Sequence, residues 1–290
     1  MKLVSFAISA QSGYGILTGE EIAVLSGAAF PASLLEMIQA GAPLFEQAAA
    51  AFRANRLPLI PAASAALKPP VSNPSKVVAI GLNYWDHCRE QHLEPPSVPI
   101  VFTKFTTSII GPGDTITFDP ALTTQVDYEV ELGVVIGKTA RCVPLEHALD
   151  YVFGYTVIND VSARDLQFSD KQWVRAKSLD TFCPVGPCIT TADEIPDPQA
   201  LKLKTIVNGQ VLQDSSTREM IFGVADLIRR LSHSFTLLPG DLIATGTPDG
   251  VGVFRKPQIF LQDGDQVTVE IENIGQLHNH VATFASKQAA

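Results

Sequence analysis

The sequence predicts a β-rich α+β protein, and three observations carry that prediction. Short runs of β-branched and aromatic residues outnumber the helical periodicities. They do not alternate regularly with helices, which argues against a doubly wound sheet. Gly-Asp turns stand just before three of the runs, at Gly113-Asp114, Gly240-Asp241 and Gly264-Asp265. With 290 residues and 46% hydrophobic content, the chain can bury a substantial core as one large domain or one domain with a small appendage.

Taken in order, residues 3–8, 14–17 and 21–25 read as short strands punctuated by glycines. Helical patterns follow at 31–39 and 44–55, with Pro31 suited to a first turn and Gly41 to a helix end. The Pro-rich stretch 57–74 reads as an extended connector. It sets a boundary between a small N-terminal α+β domain, residues 1–70, and a main domain, residues 71–290. There the strand patterns are 77–81, 99–102, 126–136, 151–159, 203–207, 211–213, 242–245 and 266–272. Asn208-Gly209 between two of them favours a type I′ hairpin turn. Residues 144–150 suggest a short helix, and 224–232 an amphipathic one with Val224, Leu227, Ile228 and Leu231 on one face.

A net charge of −9 argues against nucleic acid or an anionic membrane surface as partner. The four cysteines lack CxxC spacing and read as reduced thiols. No apolar run approaches the ~18 residues of a membrane span, and the first residues carry no leader pattern. A cytoplasmic protein is therefore expected.

The candidate chemistry centres on Asp127-Tyr128-Glu129-Val130-Glu131-Leu132. As one strand it sends Asp127, Glu129 and Glu131 to one face, where carboxylates repel one another unless a cation lies among them. A hard divalent ion with oxygen ligands, Mg²⁺ or Mn²⁺, resolves that conflict; a solvated edge strand is the alternative. Asp160, at the end of an apolar strand, is either a further oxygen ligand or the N-cap of a turn starting at Val161. Arg164 is placed to meet an anionic substrate beside the metal, or to pair with Asp165 or Glu146 at the surface. His87 and Glu90, three apart, fit a general-base pair in which the carboxylate orients the imidazole. Lys104 and Lys177 lie among apolar residues and need carboxylate partners. Thr247 sits in a Gly-rich turn able to hold a carboxylate, without the spacing of a P-loop.

The order GxNYxxHxxE from Gly81, Lys104 before Gly111-Pro112-Gly113-Asp114, DYEVELGVVIGK, INDVSARDLQ, KSLDTFCPVGP and TGTPDGVG resembles the fumarylacetoacetate hydrolase family over residues 71–284. Within it, residues 78–105, 172–187 and 250–257 are most similar to the domain-containing protein 2 branch. The resemblance implies a central rolled mixed sheet, a homodimer, and Mg²⁺ or Mn²⁺ held by Glu129, Glu131 and Asp160, with Asp127 outside the ligand set. It implies catalytic roles for His87, Glu90 and Lys177. Substrate contacts are implied for Arg164, Gln167, Thr247 and Lys104. Relatives that hydrolyse acylpyruvates tend to carry Arg at the position of Leu82, and many carry Pro at that of Phe105; both departures bear on substrate choice.

The expected substrate is a small 2-oxo or 2,4-dioxo carboxylate whose enolate the metal stabilises. The leading expectation is C–C bond hydrolysis of acylpyruvate-like 2,4-dioxo acids. Oxaloacetate keto–enol tautomerisation or decarboxylation is the alternative, and a non-catalytic metabolite-binding protein the third.

Overall fold

The computed structural model describes residues 1–9, 11–25, 27 and 29–285. Among them two large sheets dominate, with few helices, as the strand patterns require. The larger sheet runs in the order Leu59–Pro61, Glu21–Val24, Gln11–Thr18, Lys2–Ile8, Cys183–Thr191, Val152–Asn159, Val130–Ile136, Leu242–Ala244, Val77–Gly81 and Ile100–Lys104. It is mixed: Leu242–Ala244 lies parallel to Val77–Gly81, whereas Val130–Ile136 is antiparallel to both its neighbours. The smaller sheet orders Gln210–Ser216, Lys202–Val207, Gln266–Ile271, Gly275–Thr283 and Thr115–Phe118.

The largely apolar character of Val130–Ile136, broken only by Glu131, has a direct cause, since the strand is buried on both faces. Leu132 and Val134 pack with Leu203, Val269 and Leu277 of the smaller sheet. Val135 points the other way, into a cluster with Leu34, Met37 and Ile38 of the N-terminal helix Leu34–Ala40. Each fully buried aliphatic side chain here contributes about 1.5–3 kcal/mol. The central strands, and any side chain that replaces an apolar one on them, are thus rigidly held.

Several turns form as their residues dictate. Asn208 and Gly209 both take positive φ, 50° and 82°, as a type I′ hairpin needs. Gly113, Gly240 and Gly264 take positive φ before their aspartates. The amphipathic pattern at 224–232 becomes the helix Val224–Ser234, with Leu227, Ile228 and Leu231 buried.

Other expectations need correction. The stretch 57–74 is more than a connector: Leu59–Pro61 pairs with Glu21–Val24, and Ala66–Lys68 with Lys2–Ile8. The first strand also joins the main sheet, Lys2 opposite Thr190 and Leu3 opposite Ile189. The pattern at 144–150 forms a 3₁₀ helix, Leu145–Tyr151. Cys183–Thr191 is a strand although Pro184 and Pro187 obscure its pattern. Gly275–Thr283 is one although His278, Asn279 and His280 are polar; Asn279 is buried and donates to the Gly111 and Asp114 carbonyls.

Candidate active site

The stretch expected to run as one strand is interrupted. Val126–Asp127 pairs with Ser162–Ala163, the chain leaves regular pairing at Tyr128-Glu129, and the strand resumes at Val130. Side chains replace ladder partners at the break: Glu129 N–H donates to Asn159 Oδ1 and Val130 N–H to Gln213 Oε1, each at 3.0 Å. The interruption separates Asp127 from the other two carboxylates. Asp127 instead accepts the backbone N–H groups of Tyr128, Gly252 and Val253 and the Arg164 Nε–H.

Glu129, Glu131 and Asp160 do converge, each offering an oxygen within 4.8 Å of the others. Asp160 caps nothing at Val161: its side chain meets two lysines, and the next helix begins at Arg164. Lys177 Nζ lies 2.8 Å from Glu129 Oε2 and 2.9 Å from Asp160 Oδ2. Lys104 Nζ lies 2.5 Å from Asp160 Oδ1 and also donates to the Val161 and Lys177 carbonyls. Arg164 pairs with Asp127 at 2.8 Å and Glu129 at 2.7 Å rather than with Asp165 or Glu146, and its Nη1 reaches Gln167 Oε1 at 2.9 Å. Its Nη2 is buried with no partner among the described residues.

Glu131 is the exception in this balance. Only 1% exposed, it accepts the Gly246 N–H at 2.9 Å and has no ion-pair partner among the described residues. Burial, then Asp160 and Glu129, push its carboxyl well above the usual range; Lys177 offsets only part of this. Burial also works against the charge on Glu129, but Lys177 and Arg164 outweigh it and hold that carboxyl at about 2. Lys177 is likewise penalised by burial, yet Asp160 and Glu129 raise it above the ordinary lysine value. A buried carboxylate lacking a counter-charge, beside two others with converging oxygens, fits a hard divalent cation.

His87 stands on the helix Trp85–Glu90. Its Nδ1 lies 2.9 Å from Glu90 Oε2, and Glu90 Oε1 accepts the Gly250 N–H at 2.9 Å. Asn83 secures the preceding turn, exchanging hydrogen bonds with Phe222 and donating to the Thr245 carbonyl. Gly81 lets the Trp173 ring pack close, since a Cβ there would lie 2.3 Å from it and force the ring to shift.

A cavity of about 200 Å³ joins these groups. His87, Glu129, Glu131, Arg164, Gln167, Lys177 and Thr247 supply most of its polar lining, and Ile80, Leu82, Phe102, Trp173 and Phe254 much of its apolar wall. It is small beside the ~300–1,000 Å³ typical of ligand sites. Lys104, Asp160 and Glu90 stand behind the lining. This corrects the substrate contact expected of Lys104, which is 1% exposed and has its ammonium hydrogens engaged by Asp160 and two carbonyls. Asn159, Gln213 and the Asp127 link were not foreseen as parts of the site. Asn159 adjoins Asp160 in sequence, whereas nothing local to Gln213 marks it.

The fold and cavity define a metal-type enzyme site on a mixed-sheet scaffold, and comparison gives its family. The profile of "Fumarylacetoacetate (FAA) hydrolase C-terminal" matches residues 76–282, and the chain belongs to this family of enzymes. A rat relative, "Oxaloacetate tautomerase Fahd2a, mitochondrial", is 46% identical over 254 residues, 87% of this chain and 80% of its own. The human "Oxaloacetate tautomerase FAHD2A, mitochondrial" is 43% identical over 289 residues, 97% of this chain and 91% of its own. Among solved structures, a fumarylacetoacetate hydrolase from Exiguobacterium antarcticum superposes with a TM-score of 0.87 at 38% identity, covering 98% of this chain and 100% of that one. Maleylpyruvate hydrolase from Sphingobium sp. SYK-6, in complex with manganese(II) and pyruvate, gives 0.80 at 33% identity, covering 98% and 99%. The expected family, branch and fold class hold. The cytoplasmic expectation is overturned, since the rat and human relatives are mitochondrial by name.

Proposed function

We propose that this enzyme catalyses the keto–enol tautomerisation of oxaloacetate, ahead of the C–C bond hydrolysis that the sequence placed first. The observation that carries the reading is that His87 lines one small cavity together with Glu129, Glu131 and Lys177. That is an arrangement for moving a proton between carbon and oxygen, and relatives spanning most of the chain are named for that reaction. Leu82 on the cavity wall gives no second cationic anchor of the kind the acylpyruvate hydrolases tend to carry.

In this reading Glu129, Glu131 and Asp160 hold Mg²⁺ or Mn²⁺, which would supply Lewis-acid polarisation of the 2-oxo group. With Nδ1–H donated to Glu90, His87 presents Nε2 as a base toward carbon 3. The proton taken from carbon 3 is returned to the 2-oxo oxygen, so no bond between heavy atoms breaks. Lys177, held by Glu129 and Asp160, places positive charge beside that oxygen. Arg164, Gln167 and Thr247, which line the cavity, receive substrate carboxylates.

Hydrolysis of 2,4-dioxo acids is kept as a second reading, because the maleylpyruvate hydrolase shares the fold across nearly the whole chain. Two assays run side by side decide between them: Mg²⁺-dependent loss of enol absorbance from fresh oxaloacetate, and pyruvate release from acetylpyruvate. Enol loss without pyruvate from either substrate supports the tautomerase. Pyruvate from acetylpyruvate with no acceleration of enol loss overturns it in favour of the hydrolase.

A further inference from the structure

Gln213 lies on the strand Gln210–Ser216, is 1% exposed, and stands outside the cavity lining. Both ends of its amide are engaged. The oxygen accepts the Val130 N–H at 3.0 Å and the Thr205 hydroxyl at 2.7 Å. The nitrogen donates to the Thr247 hydroxyl oxygen at 2.9 Å and the Pro248 carbonyl at 3.0 Å, with the Asp249 carbonyl looser at 3.3 Å.

This amide has only one workable orientation. A backbone N–H can only donate, so the end facing Val130 is the oxygen; backbone carbonyls can only accept, so the end facing Pro248 and Asp249 is the NH₂. Toward Gln213, therefore, the Thr247 oxygen is an acceptor, and its hydrogen must point elsewhere. Thr247 lines the cavity beside Glu129, Glu131 and Lys177, and no acceptor for its hydroxyl hydrogen is found among the described residues.

We infer that Gln213 is a positioning residue that fixes the Thr247 hydroxyl as a hydrogen-bond donor into the cavity, aimed at a carboxylate or oxo oxygen of the substrate. The inference rests on the reading of the cavity as a site for 2-oxo carboxylates. The Val130 contact gives it a second consequence. One amide ties the substrate-facing donor to the backbone between Glu129 and Glu131, so donor and carboxylate cluster are held in register before substrate arrives, which lowers the ordering cost of binding.

The test is a double-mutant cycle on the Mg²⁺-loaded protein, read by calorimetric binding of oxalate and by KM and kcat for oxaloacetate. Gln213→Glu keeps the size of the side chain but replaces the donor with an acceptor, drawing the Thr247 hydrogen out of the cavity. The expected result is a Kd for oxalate raised about tenfold, a matching rise in KM, and a much smaller change in kcat. Thr247→Val should lose a similar amount. In that background Gln213→Glu should cost little more, because the donor it orients is already gone. If Gln213→Glu does not fold, Gln213→Met carries the same cycle with an expected loss of about threefold. Losses that add fully across the cycle, or wild-type oxalate affinity in either Gln213 variant, overturn the inference. If the wild-type protein neither binds oxalate nor converts oxaloacetate, the reading of the cavity falls and the inference with it.

Discussion

The carboxylate cluster and the His87–Glu90 pair face the same cavity from supports of different kinds. Glu131 and Asp160 lie on or beside strands buried on both faces, and lysines from two other segments grip Asp160. His87 and Glu90 belong to a six-residue helix tied to the Gly-rich loop through the Gly250 N–H. Binding a divalent cation demands converging oxygens that cannot drift apart, so that half is built into the core. On the proposed reading, moving a proton demands a base within reach of bound substrate, and that half rests on a short helix fastened at its surface by Asp86 to Ser215 and by Arg89 to Glu219.

If this division is right, substitutions in the two halves should fail differently. The largest effect is expected from Glu131→Gln, which keeps the acceptor for Gly246 N–H and breaks no ion pair. Activity should fall at least about a thousandfold together with loss of Mn²⁺ or Mg²⁺ binding by calorimetry, while the fold persists by circular dichroism. Metal binding retained in that variant would break the comparison. Next, His87→Ala should lower kcat by about 10²–10⁴-fold with unchanged Mg²⁺ affinity, measured by steady-state kinetics and titration. A parallel loss of metal would show that the halves are not separable.

Lys104→Met probes the support of the buried half. It leaves Asp160 with one cation fewer in the core, and urea denaturation should show a loss of about 3 kcal/mol. A change within about 0.5 kcal/mol, the size of an ordinary surface substitution, would mean that the buried lysine is dispensable.

The smallest effect concerns pH. The Glu131 carboxyl is raised in the folded, metal-free protein, so its contribution to stability is fully present below its unfolded value and is lost as pH rises through the folded one. Bound metal removes that loss. The rise in Tm on adding Mg²⁺ over EDTA should therefore be larger at pH 8 than at pH 5.5, and an equal rise at both would exclude Glu131 as the source.

The buried half was the more legible in sequence. Acidic residues inside an apolar run cannot be hidden, and Asp127, Glu129 and Glu131 announced themselves as an electrostatic conflict, whereas Asp160 stayed open between ligand and N-cap until the family resemblance assigned it. What the run concealed was its own break. Strand alternation puts Asp127 on the face of Glu129, but Asn159 and Gln213 accept N–H groups at the interruption and turn it away toward Arg164. Those contacts join residues far apart in sequence and leave no periodic trace. Lys104 was read as a lysine in need of a carboxylate, correctly, but whether it faces the substrate or the back of the cluster depends on which strand lies beside it. The strand Cys183–Thr191 was hidden by its prolines and Gly275–Thr283 by its histidines, because pattern rules weigh residue types and not the sheet that receives them.

The packing of Trp173 against Gly81 has a practical consequence. The chain contains two tryptophans. Trp173 lines the cavity with Phe102 edge-on against it, and Trp85 opens the helix that carries His87. One indole therefore stands on the cavity wall, and the other, exposed, begins the helix that bears His87. Intrinsic fluorescence thus becomes a label-free gauge of this cavity, able to follow a ligand's arrival in real time in the unmodified enzyme.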